Sequence, residues 1–190
     1  MSRIKQPRPD QRSRRTRERL GHALITLIVE KPIGEVTVQD VLDRASVGRS
    51  TFYLHYRNRD DLLLSQLEGF LETMSTALSA RREKSHRLVP VAELFAHIGS
   101  QNQIYRALSD SGHLTQFFDL AQGYFSRGIG QRLIESGRLA KLSKRELAAR
   151  SAALAGSLLS MLRWWLDRGE KESPEFMDEL FHRQAWNGLR

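Results

Sequence analysis

Apolar positions along this chain recur with a helical period, and no segment of any length alternates with the period of two that marks a strand. Leu20, Ala23, Leu24, Leu27 and Ile28 predict a helix from about Gln11 to Glu30, ended by the turn-forming run Lys31-Pro32-Ile33-Gly34. Val38, Val41, Leu42 and Ala45 fall at i, i+3, i+4 and i+7 and predict a second, shorter helix. Thr37 followed by Asp40 reads as its capping box, with Val36 set against Val41 as a hydrophobic staple. Ser46-Val47-Gly48 interrupts the pattern with turn residues. A third helix is expected from about Arg49 to Tyr56, with Phe52 and Tyr56 sharing its buried side. Asn58 is placed to cap a fourth, and Asp60 and Asp61 in its first turn suit the helix dipole. Leu62, Leu63, Leu67, Phe70, Leu71, Met74 and Leu78 carry that helix to about Arg82.

The charged, polar run Arg81–Arg87 reads as a boundary between head and body. Val89–Gly99 predicts a short helix with Pro90 in its first turn. Asn102–Ser109 predicts another, closed by Asp110-Ser111-Gly112. His113–Glu135 predicts a longer one, in which Gly123, Gly128 and Gly130 each cost about 1 kcal/mol against alanine. Those glycines mark a kink, close packing or a break. Ser143 with Glu146 is a second capping box, with Leu142 and Leu147 as staple. The helix it opens should run to about Arg168 and stop at Gly169. Ser173 and Pro174 open the last helix, which should reach about Trp186. The pattern is all-α, with about nine helices and no internal repeat.

The third helix has an unusual outward face. Ser50, Tyr53, Leu54 and Arg57 lie opposite its buried side, with Arg49 at the exposed start, so the face is cationic, hydroxylic and aromatic. A helix-turn-helix needs this arrangement, because its second helix enters the major groove and its first residues reach base edges. Arginine can bond guanine bidentately, and serine or threonine can bond bases or phosphate. An ordinary helical hairpin with a solvated basic face would carry the same turn, which by itself is common.

Here the residues resemble a known family. Ala45, Val47, Thr51-Phe52-Tyr53-Leu54-His55-Tyr56, Arg59 and Asp61-Leu62-Leu63 are similar to the DNA-binding domain of TetR-family transcriptional repressors, over roughly residues 15 to 65. Ser46 and Gly48 depart from the family's usual glycine and capping residue. A left-handed backbone at Ser46 would lack glycine's freedom, whereas Gly48 is an acceptable N-cap. The resemblance implies an N-terminal three-helix helix-turn-helix head and a C-terminal helical ligand-binding and dimerisation bundle. From position and resemblance together, Arg49 and Ser50 are expected to read bases with help from Gln39. Thr37, Thr51, Tyr53, His55 and Arg59 are expected to bond the phosphates of a double-stranded DNA operator.

Charge is distributed in keeping with that. The net charge is +8, yet residues 1–19 alone hold 8 Lys/Arg against 2 Asp/Glu. The excess sits beside the proposed reading helix, where a polyanion would place it. The organisation expected is a basic flexible arm over 1–11, a helix-turn-helix domain over 12–62, and an effector-binding and dimerisation domain over 63–190. Taken alone, the arm also reads as a solubilising disordered tail.

The last two long helices carry Leu159, Leu162, Trp165 and Leu166 on one and Met177, Leu180 and Phe181 on the other. This is more apolar surface than two edge helices need. It reads either as a thick single core or as an isologous interface that makes a four-helix bundle. The resemblance implies the second, a homodimer paired through its final two helices. Two reading helices about 34 Å apart match one DNA turn, so the operator should be palindromic. Phe95, Tyr105, Phe117, Phe118, Tyr124, Met161 and Trp164 are candidate lining for an effector pocket, although such a stripe also makes plain core. The resemblance implies a small hydrophobic or amphipathic effector there. Its binding is expected to displace the fourth helix and release the DNA.

Other chemistry finds little purchase. Cysteine is absent, which excludes disulfides and thiolate metal sites. His22, His55, His86, His97, His113 and His182 show no metal-ligand spacing, no nucleophile motif is present, and neither an enzyme nor a cofactor or metal is expected. Met1–Arg19 lacks a signal-peptide apolar region. The longest apolar run, Ala152–Leu162, is 11 residues, short of the roughly 20 that a membrane span needs. A cytoplasmic protein without membrane partners is expected. The rival reading is a basic helical adaptor that binds acidic proteins or a membrane surface without sequence-specific DNA recognition.

Overall fold

The computed structural model describes residues 11–137 and 142–187, so the basic arm expected at 1–11 lies outside the described residues except for Gln11. Described residues form nine α-helices, one 3-10 turn and no strand, an all-α fold. Helix α1 (Gln11–Glu30) buries Leu20, Ala23, Leu24, Leu27 and Ile28, the stripe read from the sequence. The 3-10 turn Ile33–Glu35 leads into α2 (Val38–Ala45). The capping box is formed: Asp40 N–H donates to Thr37 Oγ1 at 3.1 Å, and Thr37 N–H donates to Asp40 Oδ2 at 2.7 Å. Val36 and Val41, the expected staple, are both buried.

The third helix is shorter than the pattern suggested. Helix α3 spans Arg49–Tyr53, not Arg49–Tyr56. The amides of His55 and Tyr56 both donate to the Phe52 carbonyl, at 2.8 and 2.9 Å. That tightens the last turn to an i to i+3 geometry and ends the α-helix early. Phe52 and Tyr56 are buried as expected. Helix α4 (Arg59–Ala80) follows, capped by Asn58, whose Oδ1 accepts from Asp61 N–H at 2.8 Å.

The body comprises α5 (Val91–Ser100), α6 (Asn102–Asp110), α7 (Leu114–Glu135), α8 (Lys144–Asp167) and α9 (Pro174–Asn187). Pro90 stands at the N-cap of α5, one place earlier than expected. Helix α7 runs unbroken through its three glycines, and two of them explain themselves by close packing. A Cβ on Gly128 would lie 2.2 Å from the Ser75 carbonyl oxygen of α4, and one on Gly130 would lie 3.1 Å from Ser151 Oγ of α8. The Ser143–Glu146 capping box opens α8 as read.

One apolar cluster joins the parts. It runs from Leu24 and Phe52 through Leu62, Leu67 and Leu71 to Phe95, Phe125, Leu162 and Phe181. Helix α4 packs on both α1 and α7. A boundary between residues 62 and 63 therefore falls inside a helix that both parts share. The charged run Arg81–Arg87 is a strap tied to the body. Arg132, a buried side chain of α7, donates to the carbonyls of Glu83, Ser85 and Arg87 at 3.1–3.2 Å. Arg87 donates to Glu93 and to Asp178 of α9, the latter at 2.8 Å. The Leu88 amide donates to His182 Nε2 at 2.9 Å, and Trp186 Nε1 donates to the His86 carbonyl at 2.8 Å.

Candidate nucleic-acid interface

Helix α3 packs Phe52 inward, and this leaves its opposite side to solvent. Arg49, Ser50, Tyr53 and Leu54 are exposed, Tyr53 by 51% and Leu54 by 81%. Tyr53 stands edge-on to Phe52 with ring centroids 5.3 Å apart, so the buried ring fixes the exposed one. Beside the Tyr53 ring, the outward Leu54 gives this side an apolar edge of the kind that can contact thymine methyl groups on a groove floor.

The expected base readers are joined. Arg49 Nη2 donates to Gln39 Oε1 at 2.7 Å, and Gln39 Nε2 donates to Asp43 Oδ1 at 2.8 Å. Thr37 is exposed, but its hydroxyl donates to Asp40 Oδ2 at 2.7 Å. Hydrogen bonds from Lys31 first, and from Thr37, hold the Asp40 carboxyl well below the usual carboxylate range. Thr51 and His55 are half-buried at the edges of the exposed face.

Arg59 is placed differently from its expected phosphate role. Its guanidinium donates to the carbonyls of Ile33 and Val36, the latter at 3.0 Å, and pairs with Asp60 at 2.7 Å. Its side chain is 20% exposed. It ties the start of α4 to the connection between α1 and α2.

Other basic groups flank α3. Arg12, Arg15 and Arg19 of α1 border an open cleft of about 550 Å3 together with Gly48 and Thr51. The clustered arginines of the first helix were the sequence signal, although no role was assigned to any single one. Leu54 was legible as an outward apolar residue and also went without a role. Arg57 is exposed beside it, and its amide donates to Asp61 Oδ2 at 2.9 Å.

The other expected sites are dispersed. Of the residues named for a dimer interface, Leu159, Leu162, Trp165, Met177 and Phe181 are buried within the single chain, and Leu166 and Leu180 are half-buried. Trp165 also donates its Nε1 to the Glu172 carbonyl at 2.8 Å. These side chains fill the core, because α8 turns them onto α7 and α9 turns its own onto α5. The outward faces carry Ala149, Ala153, Ser160 and Trp164 on α8 and Phe176 on α9. Among the expected pocket residues, Phe95 packs on Trp165 at 5.0 Å between ring centroids, and Phe117 packs on Tyr105 at 5.4 Å and on Phe118 at 5.6 Å. Burial pushes the Tyr105 phenol upward. Tyr124 and Met161 are half-buried at the margin of this core. Trp164 stands 43% exposed under the Arg168 guanidinium and does not join the cluster. No helix of the described residues is long and apolar enough to cross a membrane.

Together the short exposed helix, the tight turn before it and the three-helix head define a helix-turn-helix protein. Residues 22–65 match the family described as bacterial regulatory proteins, tetR family. That match covers the helix-turn-helix head, from α1 to the start of α4. It is 34% identical over 67 residues to an uncharacterised HTH-type transcriptional regulator, YxbF, of Bacillus subtilis (strain 168), a match covering 35% of this chain and 18% of that protein. The chain spans less than a third of the length of the curated relatives it matches, 18% and 32%. Whole-chain similarity lies in the fold. A TetR-family regulator structure from Syntrophomonas wolfei superposes with a TM-score of 0.64 at 22% identity, covering 92% of this chain and 94% of that one. The structure of RolR in complex with resorcinol superposes with a TM-score of 0.59 at 18% identity, covering 93% and 90%.

Proposed function

We propose that this protein is a transcriptional repressor that binds a palindromic DNA operator as a homodimer and is released by a small hydrophobic or amphipathic molecule. The observation that carries the reading is the outward side of α3, where Arg49, Ser50, Tyr53 and Leu54 are exposed while Phe52 anchors the helix beneath them. An adaptor that binds by charge alone has no use for an ordered aromatic and apolar face of this kind. The outward Ala149, Ala153 and Ser160 of α8, with Trp164 and Phe176 beside them, support pairing with a second copy. Arg49, Ser50 and Gln39 read bases in this account, and Thr51, Tyr53 and His55 hold phosphates.

Resorcinol in a protein of the same fold supports a small-molecule effector. The packed aromatic centre around Phe117 would have to open to admit one. A ligand releases DNA only to the extent that it binds the opened state more tightly than the closed one.

The test is selection of duplexes from a random pool by the full chain, followed by binding in rising salt. A two-fold symmetric consensus, retained as affinity falls steeply with salt, is expected. Loss of every sequence preference would instead favour the adaptor.

A further inference from the structure

The turn before α3 contains an element that stands where a glycine would be easier. Ser46 caps α2 with φ 50° and ψ 50°, a left-handed backbone that L-residues with a Cβ adopt at a cost. Its geometry sets the angle at which α3 leaves α2. Within the turn, the Val47 amide donates to the Leu42 carbonyl at 3.1 Å and the Ser46 amide to the Asp43 carbonyl at 3.2 Å, and a further tie from outside adds to these.

We infer that Arg19 is the positioning residue that supplies this tie, clamping the turn from α1 and thereby aiming the reading helix. Arg19 Nη2 donates to the carbonyl of Ala45 and, at 3.0 Å, to that of Ser46. These are the last carbonyls of α2, which lack donors within their own helix. A guanidinium at this end also complements the negative pole of the α2 dipole. The contact spans 26 residues of sequence, so it ties the turn to α1 and not merely to itself. Gly48, the N-cap of α3, follows two residues after the clamped carbonyl, and Arg49 comes next. Displacement of the turn is passed directly to the base-reading start of the helix.

The inference rests on the DNA-reading proposal, yet it differs from a phosphate contact by Arg19, and the two respond differently to substitution. A phosphate contact needs a positive charge at position 19 and is indifferent to residue 46. A clamp needs a donor nitrogen at the reach of Nη2, longer than that of a lysine Nζ, to serve both carbonyls, and it becomes dispensable when residue 46 tolerates the left-handed state.

The experiment compares Arg19→Ala, Arg19→Lys and each of them combined with Ser46→Gly, on a duplex selected by the wild-type chain. Arg19→Ala and Arg19→Lys are both expected to lose roughly tenfold in affinity and to relax preference at the bases read by Arg49, as a misaimed contact does. The slope of log K against log salt should stay as in the wild type, and Ser46→Gly should restore most of the affinity in either background. A slope lowered by about 0.9 in Arg19→Ala, full retention by Arg19→Lys, or no recovery with Ser46→Gly would overturn the clamp. Unchanged binding by Arg19→Ala overturns it as well. Failure of the wild-type chain to select any duplex would count against the DNA-reading proposal itself.

Discussion

Arg49 and Gln39 touch across the turn, Nη2 to Oε1 at 2.7 Å, and so link the first residue of α3 to the first turn of α2. With Asp43 accepting from Gln39 in turn, the arginine is held before any DNA arrives. Pre-ordering of this kind lowers the entropy lost when a long side chain is fixed at a base edge.

Arg49→Ala is therefore expected to cost about 1–3 kcal/mol of operator affinity and to relax base preference. Gln39→Ala should cost less while widening preference at the same positions, since it frees Arg49 without removing it. Selection from a random pool with each variant reads both effects. An unchanged consensus in both would mean that α3 does not enter the groove by its start.

Arg59 serves the fold. Removing its guanidinium leaves the part-buried carbonyls of Ile33 and Val36 without their donor, and one such loss costs about 1–3 kcal/mol. Arg59→Ala should lower stability by about 2 kcal/mol in urea unfolding. DNA affinity measured well below the midpoint should hold its salt slope. A slope reduced by the equivalent of one phosphate, with stability intact, would restore the outward role expected from the sequence.

In the proposed homodimer the pairing surface is the solvent side of α8. Ala153 is exposed on that face. Ala153→Arg should yield a folded monomer by sedimentation and should abolish cooperative binding to a two-fold site. A dimer that survives the substitution would move the interface elsewhere.

Acid stability should carry the mark of Asp178. Burial pushes its carboxyl up, but hydrogen bonds from His182, from the Ala92 amide and from Arg87 outweigh burial and bring it down to about 2. A group held below its ordinary value of 3.8 stabilises the fold above that pH and loses the contribution as pH falls toward 2. Asp178→Asn should be less stable than the wild type by about 2 kcal/mol at pH 6. The gap should narrow below pH 4 and close near pH 2 in denaturant titrations. A gap independent of pH would show that the carboxylate charge is not what holds the strap.

Much of this architecture could be read from periodicity alone. The stripe of α1, both capping boxes and the Asn58 cap lie where residue spacing puts them, because each is set by neighbours within one or two turns. What depended on distant partners was less legible. Nothing near Arg59 in the chain announces the Ile33 carbonyl, and nothing near Gly128 announces Ser75 of α4. Leu162 and Phe181 are apolar whether they face a second copy or their own core, so hydrophobicity could not decide between them. Only the rotation of α8 and α9 about their axes does so, and that rotation is fixed by α7 and α5. The early end of α3 likewise follows from the bifurcated Phe52 carbonyl and not from any helix-breaking residue.

The shared span of α4 has a consequence for how such proteins can diversify. A rigid rod common to two halves locks their relative phase: one residue inserted between Leu63 and Leu78 would turn the reader by about 100° against its base and lift it by about 1.5 Å. Recombination that swaps one half for another must therefore carry the whole rod along or change its length by complete turns. Exchange at the strap would carry the whole rod with the head, and the incoming body would then need a small residue where Gly128 meets Ser75 and partners for the strap's carbonyls.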